Sequence, residues 1–218
     1  MIQLFHVFKT FGSTAAMRDI SVRIHKGEFV FVSGPSGAGK TTLLRLVFGA
    51  ERPTSGNILI NGINLNRIGG SRLDLLRRRV GFVFQDFKLL PKKTVFENVA
   101  LALEVAGLSR SFIRKKTRQS LKLVGLAEKE QAYPLQISGG EQQREAIARA
   151  IVKGPLILLA DEPTGNLDSD LTREIMLLFK NIHQKGTTVV VATHSRELLD
   201  ENPHRTVFLH RGSVVGET

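Results

Sequence analysis

A glycine-rich loop near the amino end carries the residue types that hold a polyphosphate. It consists of Gly34, Pro35, Ser36, Gly37, Ala38, Gly39, Lys40 and Thr41 and fits the pattern G-x-x-x-x-G-K-[ST]. Its glycines allow the backbone to wrap a phosphate, with the N–H groups from Gly37 to Thr42 pointing inward. The Lys40 ammonium adds charge at the β and γ phosphates, and the Thr41 hydroxyl can bind Mg²⁺. The loop predicts binding of a nucleoside triphosphate with magnesium.

Acidic, imidazole and amide side chains follow three other apolar runs. Asp161 and Glu162 end one run, His194 follows a second and Gln85 follows a third. Acids at the carboxyl end of a central strand lie where ligands bind in open α/β sheets. We expect Asp161 to hold the hydration shell of Mg²⁺ and Glu162 to orient or deprotonate an attacking water. His194 is a candidate contact for the γ phosphate, and the Gln85 amide can bridge Mg²⁺ and water.

A second candidate anion site lies about a hundred residues after the loop. Ser138, Gly139 and Gly140 directly precede a stretch with helical character. Small residues at a helix start leave backbone N–H groups free to hold an anion. The residues alone do not explain why one chain has two such sites.

The hydrophobic pattern predicts an α/β fold with a mostly parallel sheet. Phe29–Ser33 is a continuous apolar run, as in a central strand covered on both faces, and a helix follows the glycine-rich loop. Two further apolar strands, 156–160 and 187–192, enclose a helical pattern over 170–183. Strand, glycine loop and helix in this order are the context that the phosphate-binding motif requires.

Residues 87–136 differ from this pattern, because the apolar spacing from Val95 to Val124 is helical. We expect them to form a helical insertion within a single domain of 218 residues. The core then comprises about 1–86 and 137–218.

Composition indicates a folded cytoplasmic protein. Hydrophobic residues make up 42% of the chain and charged residues 23%, which is ordinary for a soluble domain. The first residues do not resemble a secretion signal, and no stretch is apolar enough for a membrane span. The absence of cysteine excludes disulfides, thiol catalysis and cysteine-bound metal.

The positive charge is concentrated in one region. Residues 67–118 hold thirteen Lys and Arg against four Asp and Glu, or +9 of the total net charge of +11. This excess charge has three interpretations: the basic side chains lie on solvated helix faces, they bind an anionic membrane surface, or they bind nucleic acid. Aromatic residues are not interleaved as in nucleic-acid binding, so we favour the membrane surface and expect no nucleic-acid partner.

Taken together and in order, these motifs resemble the nucleotide-binding domain of ABC ATPases. The resemblance rests on Gly34–Thr41, Gln85, Ser138–Gln142, Asp161–Asp168 and His194 and spans essentially the whole chain. It implies ATP hydrolysis to ADP and phosphate, a P-loop NTPase fold with a RecA-like core, an antiparallel β subdomain and a helical subdomain. One departure is Ser195 after His194, where aspartate is commoner.

The resemblance also implies a head-to-tail homodimer in the ATP-bound state, in which Ser138, Gly139 and Gly140 cap the ATP held by the other copy. Asp168 would then lie across the interface, and Phe11 would replace the aromatic residue that stacks on adenine. The residues implied to bind ATP are Phe11, Gly34, Pro35, Ser36, Gly37, Ala38, Gly39, Lys40, Thr41, Thr42, Gln85, Ser138, Gly139, Gly140, Glu141 and Asp168. The implied metal site is Thr41, Gln85 and Asp161, and the implied catalytic residues are Glu162, His194 and Gln85.

Within the family, Asp161–Asp168 resembles the branch that contains LolD, MacB and FtsE. The segments Phe87–Pro91 and Thr94–Asn98 and the brief C-terminus are most similar to the cell-division members of the FtsE group. This implies an integral membrane partner of the FtsX type and peripheral contact with the cytoplasmic side of the inner membrane. ATPase subunits of lipoprotein-release or efflux transporters remain an alternative. Soluble ABC proteins that act on DNA or ribosomes usually carry tandem domains or coiled-coil insertions, which this sequence lacks.

Overall fold

The computed structural model describes residues 1–218 and contains two sheets and seven α-helices. The strands are β1 (Ile2–Phe11), β2 (Thr14–Ile24), β3 (Phe29–Ser33), β4 (Ser55–Ile60), β5 (Ile63–Asn64), β6 (Val80–Val83), β7 (Ile157–Asp161), β8 (Thr188–Thr193), β9 (Arg205–His210) and β10 (Ser213–Glu217). The helices are α1 (Lys40–Phe48), α2 (Gly70–Arg77), α3 (Val95–Glu104), α4 (Arg110–Leu123), α5 (Gly139–Ile151), α6 (Ser169–Gln184) and α7 (Arg196–Glu201).

The larger sheet has the order β10-β9-β3-β8-β7-β6. All its neighbouring strands pair in parallel except the edge pair β9 and β10, which is antiparallel. Every residue of β3, β6, β7 and β8 is buried, as expected for strands covered on both faces. The predicted α/β class with a mostly parallel sheet is therefore confirmed.

The two faces of this sheet carry separate hydrophobic cores. Side chains alternate across the sheet, so Val30 and Val32 of β3 face one core and Phe29 and Phe31 face the other. The first core contains α1 and the smaller sheet, and the second contains α3, α5 and α6. The helices α1 and α5 thus lie on opposite faces.

The smaller sheet is antiparallel, with the order β2-β1-β4-β5. It agrees with the antiparallel β subdomain implied by the sequence resemblance. The apolar pattern of the sequence indicates neither β1 nor α2. Both β1 pairings contain register shifts, and His6 has a φ of 45°, so the alternation of buried and exposed residues is broken.

Between β6 and α5 the chain is helical. The helices α3 and α4 pack on each other and on α5. Thr94 and Glu97 form a capping box that starts α3, and the Ser109 hydroxyl accepts a hydrogen bond that starts α4. Gly107, with a φ of 73°, allows the chain to leave α3 in a left-handed turn.

Glu145 lies in this second core and is fully buried on α5. Neither of its carboxylate oxygens has a hydrogen-bond partner. Burial raises the pKa of Glu145 to about 7, and the nearby positive charge of Arg149 opposes the shift. The side chain therefore holds its proton up to about neutral pH.

Replacing Glu145 with glutamine should change how stability depends on pH. The folded-state pKa lies above the ordinary value of 4.5, so the stability from the bound proton is complete below pH 4.5 and is lost as the pH rises through 7. Relative to Glu145→Gln, the wild-type free energy of unfolding should fall by about 3 kcal/mol between pH 5 and pH 8. Urea unfolding at a series of pH values measures this difference. The exposed Glu104→Gln variant is the control, and parallel pH profiles for wild type and Glu145→Gln would contradict the assignment.

Candidate functional site

The glycine-rich loop connects β3 to α1 and leaves a row of backbone donors free. From Gly37 to Thr42, only the Ala38 N–H donates a hydrogen bond, to Pro35 O at 3.1 Å. Gly39 has a φ of 107°, and a Cβ there would lie 2.1 Å from the Met17 side chain. This φ is strained for any residue with a side chain, so glycine favours the amide-lined shape of the loop.

Lys40 is buried at the start of α1, and its ammonium group is held by neighbouring oxygens. Lys40 Nζ donates to Gly34 O at 2.7 Å and to Pro35 O at 3.2 Å. It also lies 3.3 Å from Glu162 Oε1. The free amides and this positive charge form a donor set suited to phosphate oxygens.

Thr41 and Asp161 bring a hydroxyl and a carboxylate together beside the loop. Thr41 Oγ1 donates to Asp161 Oδ1 at 3.1 Å. Burial raises the pKa of the Asp161 carboxyl, while the hydrogen bond from Thr41 opposes the shift and the neighbouring Glu162 carboxylate adds to it. A bound cation would favour the charged form of Asp161, and these oxygen ligands are the type that Mg²⁺ prefers. The residues therefore fit a magnesium ion that also binds phosphate oxygens and water.

Glu162 lies at the end of β7 and contacts the other charged groups of the site. Its φ of 47° is a left-handed conformation that is uncommon for residues other than glycine. Its N–H donates to Ala192 O at 2.9 Å, which holds this turn against β8. Glu162 Oε1 lies 3.0 Å from His194 Nδ1, in addition to its contact with Lys40. The carboxylate is thus directed toward the glycine-rich loop by a strained backbone conformation.

Ser195, the departure from the usual family pattern, is the N-cap of α7. Its hydroxyl accepts a hydrogen bond from the Leu198 N–H at 3.2 Å. Aspartate is an equally good N-cap, so serine preserves this local structure. The His194 backbone N–H also points back to Glu162 Oε2, at 3.4 Å.

Gln85 follows β6 by two residues, at the sheet edge where Asp161 ends β7. Val83 of β6 pairs with Ala160 of β7, which places Gln85 near Glu162 along the next strand. Its side chain is exposed and makes no hydrogen bond within the chain. The backbone register therefore brings Gln85 to the site, but no side-chain contact fixes the amide.

Phe11 is the last residue of β1, at the tip of the hairpin that β1 forms with β2. Its ring is 45% exposed, and Lys9 Nζ lies 4.6 Å from the ring centre. Ala16 and Met17 of the same hairpin are the residues that a Cβ at Gly39 would strike. The exposed ring is thus close along the hairpin to the phosphate-binding loop.

Ser138 starts α5 with a reciprocal cap. Its hydroxyl accepts a hydrogen bond from the Glu141 N–H at 3.2 Å, and Glu141 Oε2 accepts one from the Ser138 N–H at 2.8 Å. The N–H groups of Gly139 and Gly140 make no hydrogen bond within the chain. Two donors at a helix start are therefore available to an anion, and the helix dipole favours negative charge there.

The α5 start is close to α6 rather than to the glycine-rich loop. A Cβ at Gly140 would lie 2.9 Å from the Leu171 side chain in the first turn of α6. Asp168, the N-cap of α6, accepts a hydrogen bond from the Leu171 N–H at 2.9 Å. Since α1 and α5 lie in the two cores on opposite faces of the sheet, the structure groups Ser138 with Asp168 and Lys40 with Glu162.

Comparison with known proteins identifies the family. Residues 17–165 match the family model described as ABC transporter. The chain belongs to the ABC transporter family. As an ABC ATPase it binds ATP and hydrolyses it to ADP and phosphate.

Curated relatives in this family match the ABC ATPase over almost its whole length. The cell division ATP-binding proteins FtsE of Bacillus subtilis and Mycobacterium tuberculosis are 49% and 50% identical to it, and that of Escherichia coli K12 is 43% identical. Each alignment covers 99% of this chain and 95%, 94% and 98% of the respective relative. The alignments thus extend over nearly the whole chain.

Solved structures of an ABC transporter cassette have the same fold. The dimeric structure of the bacterial cassette MJ0796 is 39% identical with a TM-score of 0.92, and it covers 100% of this chain and 98% of that one. A dimeric post-hydrolysis state of MJ0796 bound to ADP and Pi has a TM-score of 0.91. In this ABC ATPase, none of the helices combines the length and the apolar character needed to cross a bilayer.

Arg149, near the end of α5, is a residue that the sequence did not single out. Its guanidinium donates to Lys88 O at 2.6 Å and to Phe87 O. Phe87 and Lys88 have φ values of 56° and 52°, so two consecutive non-glycine residues adopt the left-handed conformation. Arg149 therefore holds a strained turn two residues after Gln85.

Removing this hydrogen bonding should slow ATP hydrolysis more than it weakens ATP binding. In Arg149→Leu the turn after Gln85 can relax, and displacement of a positioning group by about 1 Å costs up to about 100-fold in rate. We expect kcat to fall at least about ten-fold with a smaller change in KM, and Arg149→Lys to recover part of the rate. Steady-state phosphate release measures both constants.

The matched control is Arg118→Leu, which removes an exposed arginine whose partner is Glu130 at 3.0 Å. Exposed ion pairs contribute little to stability, so this variant should retain wild-type kinetics. Equal kcat values for Arg149→Leu and wild type would show that the turn does not position the site.

Proposed function

We propose that this ABC ATPase is the ATP-hydrolysing subunit of a cell-division complex. Two copies would close head to tail around ATP and transmit the cycle to an integral membrane partner of the FtsX type. The observation that carries the proposal is the 99% coverage of the chain by relatives that are named cell division ATP-binding proteins. The proposed substrate is ATP bound with Mg²⁺.

The proposed roles follow from the geometry of each side chain. Lys40 and the free amides of its loop bind the β and γ phosphates, and Thr41, Asp161 and Gln85 hold Mg²⁺, which supplies neutralisation of phosphate charge. Glu162 orients or deprotonates the attacking water. His194, 3.0 Å from Glu162, contacts the γ phosphate. Phe11 stacks on adenine through its exposed ring.

Dimerisation would explain why the chain has two candidate anion sites, the glycine-rich loop and the α5 start. The α5 start, with its free Gly139 and Gly140 amides, belongs to the opposite face of the sheet from α1. We infer that Ser138, Gly139, Gly140 and Glu141 complete the ATP site of the second copy. Asp168, which lies beside the α5 start, reaches the same interface.

Loss of the γ phosphate would then open the dimer. The negative charge of ATP attracts donors from both copies, so hydrolysis followed by phosphate release removes contacts on both sides. The dimer would thus alternate between a closed ATP-bound state and an open state, and a membrane partner bound to it would change conformation with it.

The helical segment 87–136 supplies a surface suited to a membrane partner. Several of its large apolar side chains are exposed, among them Val105 at 71% and Leu135 at 83%. The excess positive charge of residues 67–118 also includes α4, which would favour the anionic inner leaflet. We infer that this segment contacts the partner on the cytoplasmic side of the inner membrane. A lipoprotein-release or efflux complex would use the same ATPase residues with a different partner.

Replacing Glu162 with glutamine should permit ATP binding but stop turnover. The amide cannot accept the proton of the attacking water, and loss of a general base typically costs about 100-fold to 10,000-fold in rate. We expect Glu162→Gln to form a stable dimer with ATP, detected by light scattering, and to remain monomeric with ADP. Glu128→Gln, an exposed substitution outside the site, should turn over like wild type. Wild-type hydrolysis by Glu162→Gln would refute the assigned base.

The same variant should capture the membrane partner. In a pull-down from detergent-solubilised membranes, Glu162→Gln with ATP should recover an integral membrane protein of the FtsX type, identified by mass spectrometry. Lys40→Ala is the control, because loss of the ammonium at the phosphates should abolish ATP binding and closure. Recovery of a lipoprotein exporter instead would overturn the cell-division role while leaving the ATPase assignment intact.

A further inference from the structure

An apolar groove lies between α2 and the smaller sheet. Its volume is about 420 Å³, and nine of its twelve lining residues are hydrophobic. Ile63, Leu75 and Leu156 line it and are 41%, 58% and 37% exposed. The volume lies in the range of ligand-binding clefts, about 300–1,000 Å³.

Two arginines border the apolar lining at regular spacing. Arg72, Leu75, Leu76 and Arg79 all line the groove, at positions i, i+3, i+4 and i+7 along α2 and its continuation. Residues at this spacing share one face of a helix. The face therefore presents a cation at each end, roughly 10 Å apart along the chain, with the exposed Leu75 and the mostly buried Leu76 between them.

These arginines have no partners within the chain. The side chains of Arg72 and Arg79 make no hydrogen bond or ion pair, whereas the nearby Arg77 is bound to Asp74 at 3.3 Å and to Gly49 O at 2.7 Å. Residues 61–80 contain five arginines and one aspartate, a net charge of +4. No acidic side chain lines the groove.

The groove is remote from the ATP site. It contains Val80 and Ile157, the first residues of β6 and β7, whereas Gln85, Asp161 and Glu162 lie at the other ends of these strands. The four steps from Ile157 to Asp161 along β7 separate the two ends by about 13 Å. A molecule in the groove would not touch bound nucleotide.

We propose that this groove binds an acidic amphipathic helix of a protein partner, a site distinct from the ATP site and from the proposed membrane-partner surface. A helix with Glu, Leu, Leu and Glu at i, i+3, i+4 and i+7 matches the Arg, Leu, Leu and Arg pattern of α2 in charge and in apolar character. Guanidinium groups bind carboxylates in a bidentate manner, and apolar anchors at this spacing are the usual mode of helix-in-groove recognition. A lipid has one anionic headgroup and would match only one end of the pattern.

A synthetic peptide probe tests the proposal directly. It has about 16 residues, repeats Glu-Ala-Ala-Leu-Leu-Ala-Ala-Glu and carries fluorescein, and a second probe has lysine in place of every glutamate. By fluorescence anisotropy the acidic probe should bind the full chain with a Kd at or below about 100 µM, and the lysine probe should bind at least ten-fold more weakly. Failure of the acidic probe to bind would overturn the proposal.

Variants locate the binding on the groove. Leu75→Gln and Arg72→Glu should each weaken the acidic probe about ten-fold, and Arg72→Glu should bind the lysine probe more tightly than wild type does. The controls are Leu177→Gln, a helix leucine that is 59% exposed outside the groove, and Arg114→Glu on α4. Basal ATP hydrolysis should be unchanged in all four variants, which separates this proposal from that for the ATP site.

Two results would contradict the proposal even if the acidic probe binds. The first is equal affinity for wild type, Leu75→Gln and Arg72→Glu, which would indicate attraction to the general positive charge. The second is sedimentation of the chain with phosphatidylglycerol vesicles that Leu75→Gln abolishes and the acidic probe does not inhibit. That result would assign the groove to lipid.

Discussion

Parallel pairing of four fully buried strands is the constraint on which the site depends. Asp161 of β7 pairs with Ala192 of β8, and Ser33 of β3 pairs with Thr193 of β8. This register brings the ends of three strands to one edge, where the glycine-rich loop, the acidic pair and His194 meet. Because these strands are buried on both faces, a shift of one residue would exchange their side chains between the two cores. The hydrophobic packing of the sheet thus determines the distances in the candidate site.

The parts of this site that were predictable from sequence are those with a local signal. Phe29–Ser33 coincides with β3 because a continuous apolar run reflects burial on both faces, and the loop motif fixes the start of α1 to within two residues. The contact between Thr41 and Asp161 joins residues 120 apart and follows from the predicted meeting of strand ends. Chemistry-bearing residues at the ends of apolar strands were therefore the most informative feature.

Other features had no local signal. Glu162 is in the left-handed conformation, and its N–H bonds to Ala192 O, which is distant in sequence. Arg149 reaches carbonyl groups about sixty residues away, and nothing in the pattern around it distinguishes it from a solvated arginine. The helix α2 has a single buried residue, Leu76. Its apolar periodicity is therefore too weak to predict a helix from the sequence.

The helix α5 has a consequence for how two ATP sites would communicate. It begins at the free amides of Gly139 and Gly140. Near its other end, Arg149 donates hydrogen bonds to the turn after Gln85. Its thirteen residues form a rod about 20 Å long. In the proposed dimer, the start of α5 would contact the nucleotide of the neighbouring copy. Its other end would contact the turn after Gln85 in its own copy. One helix would therefore connect the nucleotide bound by one copy to the turn after Gln85 in the other copy.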